Sequence, residues 1–277
     1  MRALARAGDV PIHSGMRFDA SLRERWVEAD GASHFDMPTD WMQGRSVFGG
    51  LSAAALVALA HRGVPPERVL RTISVQLLRP TVPGPLTGSA RVVREGRSTS
   101  FLEGALVQAG ADTARASMVF AAPRQGASKV IGAAPFSTER DVETLPELPY
   151  LPGVTPEFTK HIALRWASGG PPFSGTAEAR FDGYCRFRAA AGDVEGVLGL
   201  LDMWPCPSLS VLTTPSFAST VTWTAHVFAV PASFEQWFSF SYETVAGKDG
   251  FHTAMGRLHS ADGTLVGFTE QLVALFD

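Results

Sequence analysis

The pattern of apolar and polar positions writes one structural sentence twice, about 151 residues apart. The first copy opens on Phe48 to Ala60 (FGGLSAAALVALA), where Ser52 is the only hydroxyl. A stretch that is apolar all round predicts a helix buried on every side. Gly63, with Pro65-Pro66 behind it, supplies the stop. Three strand-like runs follow, Arg71 to Pro80, Leu86 to Gln108 and Thr113 to Ala122. The second copy runs from Val194 to Trp204 and then through Thr220 to Pro231, Gln236 to Ser260 and Thr264 to Phe276. These runs are rich in Val, Thr, Phe and Trp, with hairpin signals at Pro83-Gly84, Gly110-Ala111-Asp112, Gly247-Lys248-Asp249-Gly250 and Asp262-Gly263. One buried helix followed by antiparallel strands predicts an α+β class, with the sheet wrapped around the helix.

A shift of 151 sets Pro80 on Pro231 and the turn at Gly110-Ala111-Asp112 on Ala261-Asp262-Gly263. It also sets the apolar Phe120 on Gln271, and Ile73, Val75 and Leu77 on Thr224, His226 and Phe228. Polar residues in the second copy where the first is apolar predict two halves sharing a core and one working site. Pro123 to Pro156 is proline-rich and includes the run Leu145-Pro146-Glu147-Leu148-Pro149-Tyr150-Leu151-Pro152. That composition excludes a long helix or a central strand and marks a linker over the sheet surface. The expected organisation is an N-terminal repeat over 17–123, a linker over 124–156 and a C-terminal repeat over 157–277. Unpaired sheet edges favour association, so the halves should join edge to edge. Remaining sheet surface is expected to support a homodimer or higher homo-oligomer.

Composition narrows the class. With 277 residues, 45% of them hydrophobic, the chain can build a sizeable core. A net charge of −3 leaves no electrostatic footprint for nucleic acid. Cys185 and Cys206 form no metal-ligand spacing, and no disulfide is expected of them in a reducing compartment. The N-terminus lacks the apolar core of a signal peptide, and no run approaches the ~20 apolar residues of a membrane span. The expectation is a cytoplasmic protein that engages neither membrane nor nucleic acid, with residues 1 to about 16 poorly ordered.

Several short motifs fall in a specific order: Trp41-x-Gln43-Gly44-Arg45, Val47-Phe48-Gly49-Gly50, Leu78-Arg79-Pro80 and Arg94-Glu95-Gly96-Arg97-Ser98. The second half adds Leu201-Asp202, a threonine-rich strand, Asp249-Gly250, Asp262-Gly263 and Gln271. Over about residues 35 to 277 this order resembles the acyl-CoA thioesterase II (TesB-like) family. The resemblance implies a double hotdog fold and hydrolysis of acyl-CoA or acyl-carrier thioesters by an activated water. It implies no cofactor beyond the coenzyme A of the substrate, and no metal. In that family an Asp, a Thr or Ser and a Gln hold the water; here they fall on Asp202, on Thr220 or its rival Thr222, and on Gln271. Thr220 and Thr222, two apart on a strand, share a face in regular geometry.

These residue types suit the chemistry. A carboxylate within hydrogen-bond reach of water is the simplest general base, and Gln271 carries both donors and an acceptor. The apolar neighbours Leu200, Leu201, Met203 and Trp204 would raise the pKa of Asp202. Blander readings stand beside each: a helix-end carboxylate for Asp202, a solvated strand face for Gln271, ordinary β propensity for the threonines. Gly49-Gly50 suits either exposed helix amides or close packing of helix on sheet. Arg45, Arg79 and Arg97 are candidates for the phosphates of coenzyme A or for surface salt bridges. Trp204 and Phe217 are placed to narrow an acyl tunnel, and Trp41 reads as core. His226 shares the threonine face and reads as a structural histidine or a neighbour of the site.

Two other functions compete. A hydratase or dehydratase on the same fold would carry a D-x-N-x-x-H arrangement, which none of the seven histidines completes. A non-catalytic acyl or acyl-CoA binder would share the pocket without turnover. A serine hydrolase is disfavoured because no G-x-S-x-G elbow occurs.

Overall fold

The computed structural model describes residues 16–124, 126, 132 and 134–276. The expectation for residues 1–15 therefore lies outside the described residues, whereas Met16 is buried. In chain order the main elements are β1 (Val27–Ala29), β2 (Ala32–Met37), β3 (Met42–Gln43), β4 (Ser46–Val47), α1 (Gly49–Ala60), β5 (Val69–Leu77), β6 (Gly84–Glu95), β7 (Thr99–Gln108) and β8 (Ala111–Ala121). The second half supplies β9 (Ile162–Ser168), β10 (Arg180–Phe187), α2 (Asp193–Asp202), α3 (Ser208–Val211), β11 (Phe217–Val227), β12 (Phe238–Lys248), β13 (Phe251–His259) and β14 (Leu265–Phe276). The run Leu86 to Gln108 is two strands rather than one, because the chain turns at Gly96, whose N–H donates to the Thr99 carbonyl at 2.7 Å. Gln236 to Ser260 likewise divides, at the turn of Asp249 and Gly250, both with positive φ.

The two halves make one continuous antiparallel sheet in the order β1-β2-β6-β7-β8-β5-β11-β14-β13-β12-β10-β9. The seam is the β5–β11 pair, with Thr222 opposite Gln76 and His226 opposite Thr72. This double hotdog is the α+β arrangement expected from the repeat. One pair of edges that would otherwise face water, those of β5 and β11, is thereby satisfied in the middle of the molecule. Every residue of α1 is buried, as its all-apolar sequence requires. The helices lie against one another and run antiparallel: Gly49 and Gly50 at the start of α1 meet Asp202 at the end of α2. A single apolar core spans both halves.

The linker crosses the outside of the second half. Phe136 packs edge-on against Tyr184, and Glu143 and Glu147 both pair with Arg165, at 2.9 and 3.1 Å. Leu148 N–H donates to the Leu164 carbonyl, and Glu147 bridges Arg165, so the outer edge of β9 is covered. Cys185 and Cys206 are buried and unbridged.

Candidate active site

Three side chains from α2, β14 and β11 form a single hydrogen-bonded chain. Thr220 Oγ1 donates to Gln271 Oε1 at 2.9 Å, and Gln271 Nε2 donates to Asp202 Oδ1 at 2.8 Å. This fixes which way the Gln271 amide points: its oxygen is taken by the threonine, so its nitrogen faces the carboxylate. The Gly50 backbone N–H, at the start of α1, also bonds Asp202. A carboxylate at a helix N-terminus is favoured by the dipole. Burial opposes ionisation more strongly than these two donors support it, and the Asp202 pKa rises from 3.8 to about 7. The result is a base poised near neutrality. It is only 9% exposed, and Gln271 4%.

The choice between the two threonines is made by one irregularity. On β11, Thr220 pairs with Val273 but Thr222 pairs with Leu272, so Val221 is an extra, bulged residue. A bulge exchanges the two faces of a strand from that point on. Thr220 therefore faces inward with Gln271, and Thr222 faces outward. The expectation that Thr220 and Thr222 share a face fails for this reason. So does the alignment of Thr224 and His226 with Ile73 and Val75. The structure pairs Thr224 with Ser74, whose hydroxyls bond at 3.0 Å on the outer face, and Ile73 with buried Ala225. His226 is outward as well, 6.1 Å from the Phe268 ring centroid, and does not approach Asp202.

The family model of the acyl-CoA thioesterase N-terminal domain matches residues 37–121, and that of the C-terminal domain matches residues 141–275. The chain belongs to the acyl-CoA thioesterase family. Its reaction is thioester hydrolysis. Among solved structures it is similar to a conserved hot dog fold protein of unknown function from Alicyclobacillus acidocaldarius (TM-score 0.80, 21% identity, 93% of this chain and 98% of that one). It is also similar to the acyl-CoA thioesterase II TesB2 of Mycobacterium marinum (TM-score 0.73, 14% identity, 93% and 98%) and to a tesB protein of Mycobacterium avium subs paratuberculosis (TM-score 0.75, 15% identity, 93% and 98%). At these identities the likeness speaks for the fold. No curated protein matches the chain.

The thioesterase's remaining candidate residues divide by position. A methyl group added at Gly49 would lie 2.9 Å from Asp202 Oδ2. At Gly50 it would lie 2.6 Å from Phe48 Cε1 and 3.2 Å from Asp202 Cβ. Both glycines thus let the start of α1 close on the carboxylate at the end of α2, a helix-on-helix approach rather than the expected packing of helix on sheet. Arg45 and Arg79 lie on neighbouring segments: Ser46 and Val47 bond the Thr81 carbonyl, and Leu77 lies beside Gly49, while the Arg79 guanidinium donates to the Asp112 carbonyl at 3.0 Å. Arg97 does not join them. It lies on the turn by the Val69 end of β5, where its carbonyl accepts from Arg68. That is about 25 Å along the strand from Leu77, at ~3.3 Å per residue. Trp204 is buried among aromatic rings next to Asp202, and Trp41 is core, stacked on His161 at 4.5 Å. Phe217 is 83% exposed on the outer face and so narrows no interior tunnel.

Sequence reading missed the thioesterase's second polar cluster. Ser208 Oγ lies 2.7 Å from Thr244 Oγ1 and 2.9 Å from His252 Nδ1, pinning α3 to β12 and β13. On the sheet, Ala254 pairs with both Thr244 and Gln271, and Val273 with both His252 and Thr220. The cluster is therefore one strand removed from the site. No spacing in the sequence links these residues; only the strand register does.

Proposed function

We propose that Asp202 is the general base of water-mediated acyl-CoA hydrolysis, with Gln271 and Thr220 holding it in place. The observation that carries this is the Thr220–Gln271–Asp202 hydrogen-bonded chain ending on a buried carboxylate with a pKa near 7. A base is most effective when its pKa lies near the working pH. Water loses a proton to Asp202 as its oxygen bonds to the thioester carbonyl carbon. The tetrahedral intermediate then collapses, the C–S bond breaks, and the proton passes from Asp202 to the departing sulfur. The products are a free acid and the thiol of coenzyme A. The start of α1 supplies positive potential to the developing oxyanion.

Gln271 orients the carboxylate rather than exchanging protons, and Thr220 locks the Gln271 amide. Arg45 and Arg79, on the neighbouring segments that Thr81 ties together, are the side chains proposed for the phosphates of coenzyme A. Coenzyme A enters as part of the substrate, and no separate cofactor is invoked. A cytoplasmic setting in fatty acid metabolism belongs to the same proposal, and the two unbridged thiols fit a reducing compartment. So does a homo-oligomeric state, which light scattering tests. Among the described residues no helix is long and apolar enough to cross a membrane.

The test is incubation with acyl-CoAs of several lengths while free thiol is followed. Thiol release is expected from wild type and not from Asp202→Asn. A wild type that binds acyl-CoA without ever releasing thiol would leave the binding function in its place.

A further inference from the structure

Helix α3 is four residues long, and a helix of one turn does not hold itself together in water. Its position is set from outside. On one flank the loop after β9 binds it: Phe173 N–H donates to the Leu209 carbonyl at 2.7 Å, and Thr176 Oγ1 donates to Ser210 Oγ at 2.9 Å. On the other flank the sheet binds it through the Ser208 side chain, which is 1% exposed. The Ser208 hydroxyl lies 2.7 Å from Thr244 Oγ1 on β12 and 2.9 Å from His252 Nδ1 on β13. One hydroxyl can accept from the first of two such partners while donating to the second, so a single side chain joins the helix to two strands.

Only residues 203–207 separate this clasp from Asp202, and they have little freedom. Pro205 and Pro207 each fix their own φ, and Met203, Trp204 and Cys206 are buried. The Cys206 sulfur bonds Ser208 and Thr244, and Tyr242 is within electrostatic reach of both Cys206 and Asp202. The segment therefore runs from carboxylate to clasp without leaving the core. Burial is what lifts the Asp202 pKa to about 7, so whatever holds this segment closed sets the strength of the base. The groups that face Asp202 from the other elements carry no charge: Gly50 N–H from α1, the Gln271 amide from β14, and Tyr242 from β12, whose hydroxyl burial pushes up. Burial pushes the Cys206 thiol up as well.

We infer that Ser208, held by Thr244 and His252, is a positioning residue for Asp202: by clasping α3 to the sheet it keeps the segment after α2 closed beside the carboxylate and keeps bulk water from solvating it. It acts through the chain between them and not on the reacting atoms. The inference rests on the general-base reading above and adds what keeps that base unsolvated.

Ser208→Ala and Thr244→Val each remove a hydroxyl and no titratable group, and Thr244→Ser keeps the hydroxyl as the control. In wild type the acid limb of kcat/KM for acyl-CoA hydrolysis should lie near pH 7. It should move down by about one pH unit in Ser208→Ala and Thr244→Val, as water reaches the carboxylate, and stay in place in Thr244→Ser. Their kcat at pH 8 should fall by up to ~100-fold, the cost of a misplacement of about 1 Å, with KM little changed. Because His252 is itself titratable, Asp202 is also read on its own: the rise in Tm that Asp202→Asn brings at pH 8 should shrink in a Ser208→Ala or Thr244→Val background. A cluster that merely lends stability would lower Tm and leave both the limb and that rise where they are. The inference is overturned by a limb that keeps its wild-type position in Ser208→Ala and Thr244→Val, by an undiminished rise from Asp202→Asn, or by a Thr244→Ser variant that behaves like Thr244→Val. A wild type that releases no thiol would strike the general-base reading instead, and the Tm comparison alone then decides whether the clasp keeps Asp202 unsolvated.

Discussion

Replacing Asp202 by Asn should stabilise the protein at alkaline pH. In the native state burial lifts the carboxyl pKa from 3.8 to about 7, against the opposing pull of the Gly50 and Gln271 donors. In the unfolded chain the group ionises near its ordinary value. Between the two values the native state holds a proton that the unfolded state has released. The folded pKa is the higher one, so this group's contribution to stability falls as pH rises from about 4 to about 7 and is level above. About three pH units at ~1.4 kcal/mol each set the penalty at pH 8 at up to about 4 kcal/mol. Asparagine has nearly the same volume, its Oδ1 can still accept from Gln271, and it never ionises. The variant should therefore be the more stable protein at pH 8, by up to about 4 kcal/mol, with the advantage vanishing near pH 4. At ~2–4 °C per kcal/mol that is a rise in Tm of up to about 8–16 °C. Urea unfolding of both proteins, followed by tryptophan fluorescence at pH 5 and pH 8, measures it. His61, whose pKa burial lowers to about 4, titrates in both proteins and cancels in the difference. A variant less stable than wild type at pH 8, or a gap that does not change with pH, would refute the reasoning.

The bulge at Val221 gives a second expectation: Thr220→Ala should slow kcat, less than Gln271→Ala does, whereas Thr222→Ala should leave kinetics untouched; equal losses at 220 and 222 would contradict the inward assignment. Gly50→Ala forces a methyl group to within 2.6 Å of Phe48 Cε1, so both activity and Tm should drop, and a fully active, undiminished variant would show that the close approach is dispensable. Arg79→Ala should raise KM for acyl-CoA in a salt-dependent way while Arg97→Ala does not; a matching rise for Arg97 would mean the phosphates lie elsewhere.

Much of this was legible in the sequence, and for a physical reason. Phe48 to Ala60 has no polar face, so it had to be buried, and the repeat of helix plus strands had to produce two equivalent sheets that join at an edge. Gln271 stood out because its repeat equivalent, Phe120, is apolar; Asp202 was singled out by the family resemblance, and its apolar neighbours bore only on its pKa. What failed was the fine register. A single inserted residue, Val221, moves Thr222, Thr224 and His226 to the outer face, and no residue type announces such a bulge. The separation of Arg97 from Arg79 was also hidden, because both are exposed arginines in family motifs and only the length of β5 sets them apart. The Ser208–Thr244–His252 cluster exists only through cross-strand pairing and side-chain packing, which composition does not encode.

The central claim is that Asp202 activates water and does not itself attack the thioester. A single turnover in ¹⁸O-water, with enzyme in excess over acyl-CoA and products read by mass spectrometry, addresses it directly. Direct attack by water places one ¹⁸O in the free acid on the first turnover, leaves the protein mass unchanged throughout, and fails in Asp202→Asn. An acyl adduct on the protein, or unlabelled acid with ¹⁸O left in Asp202, would contradict the account.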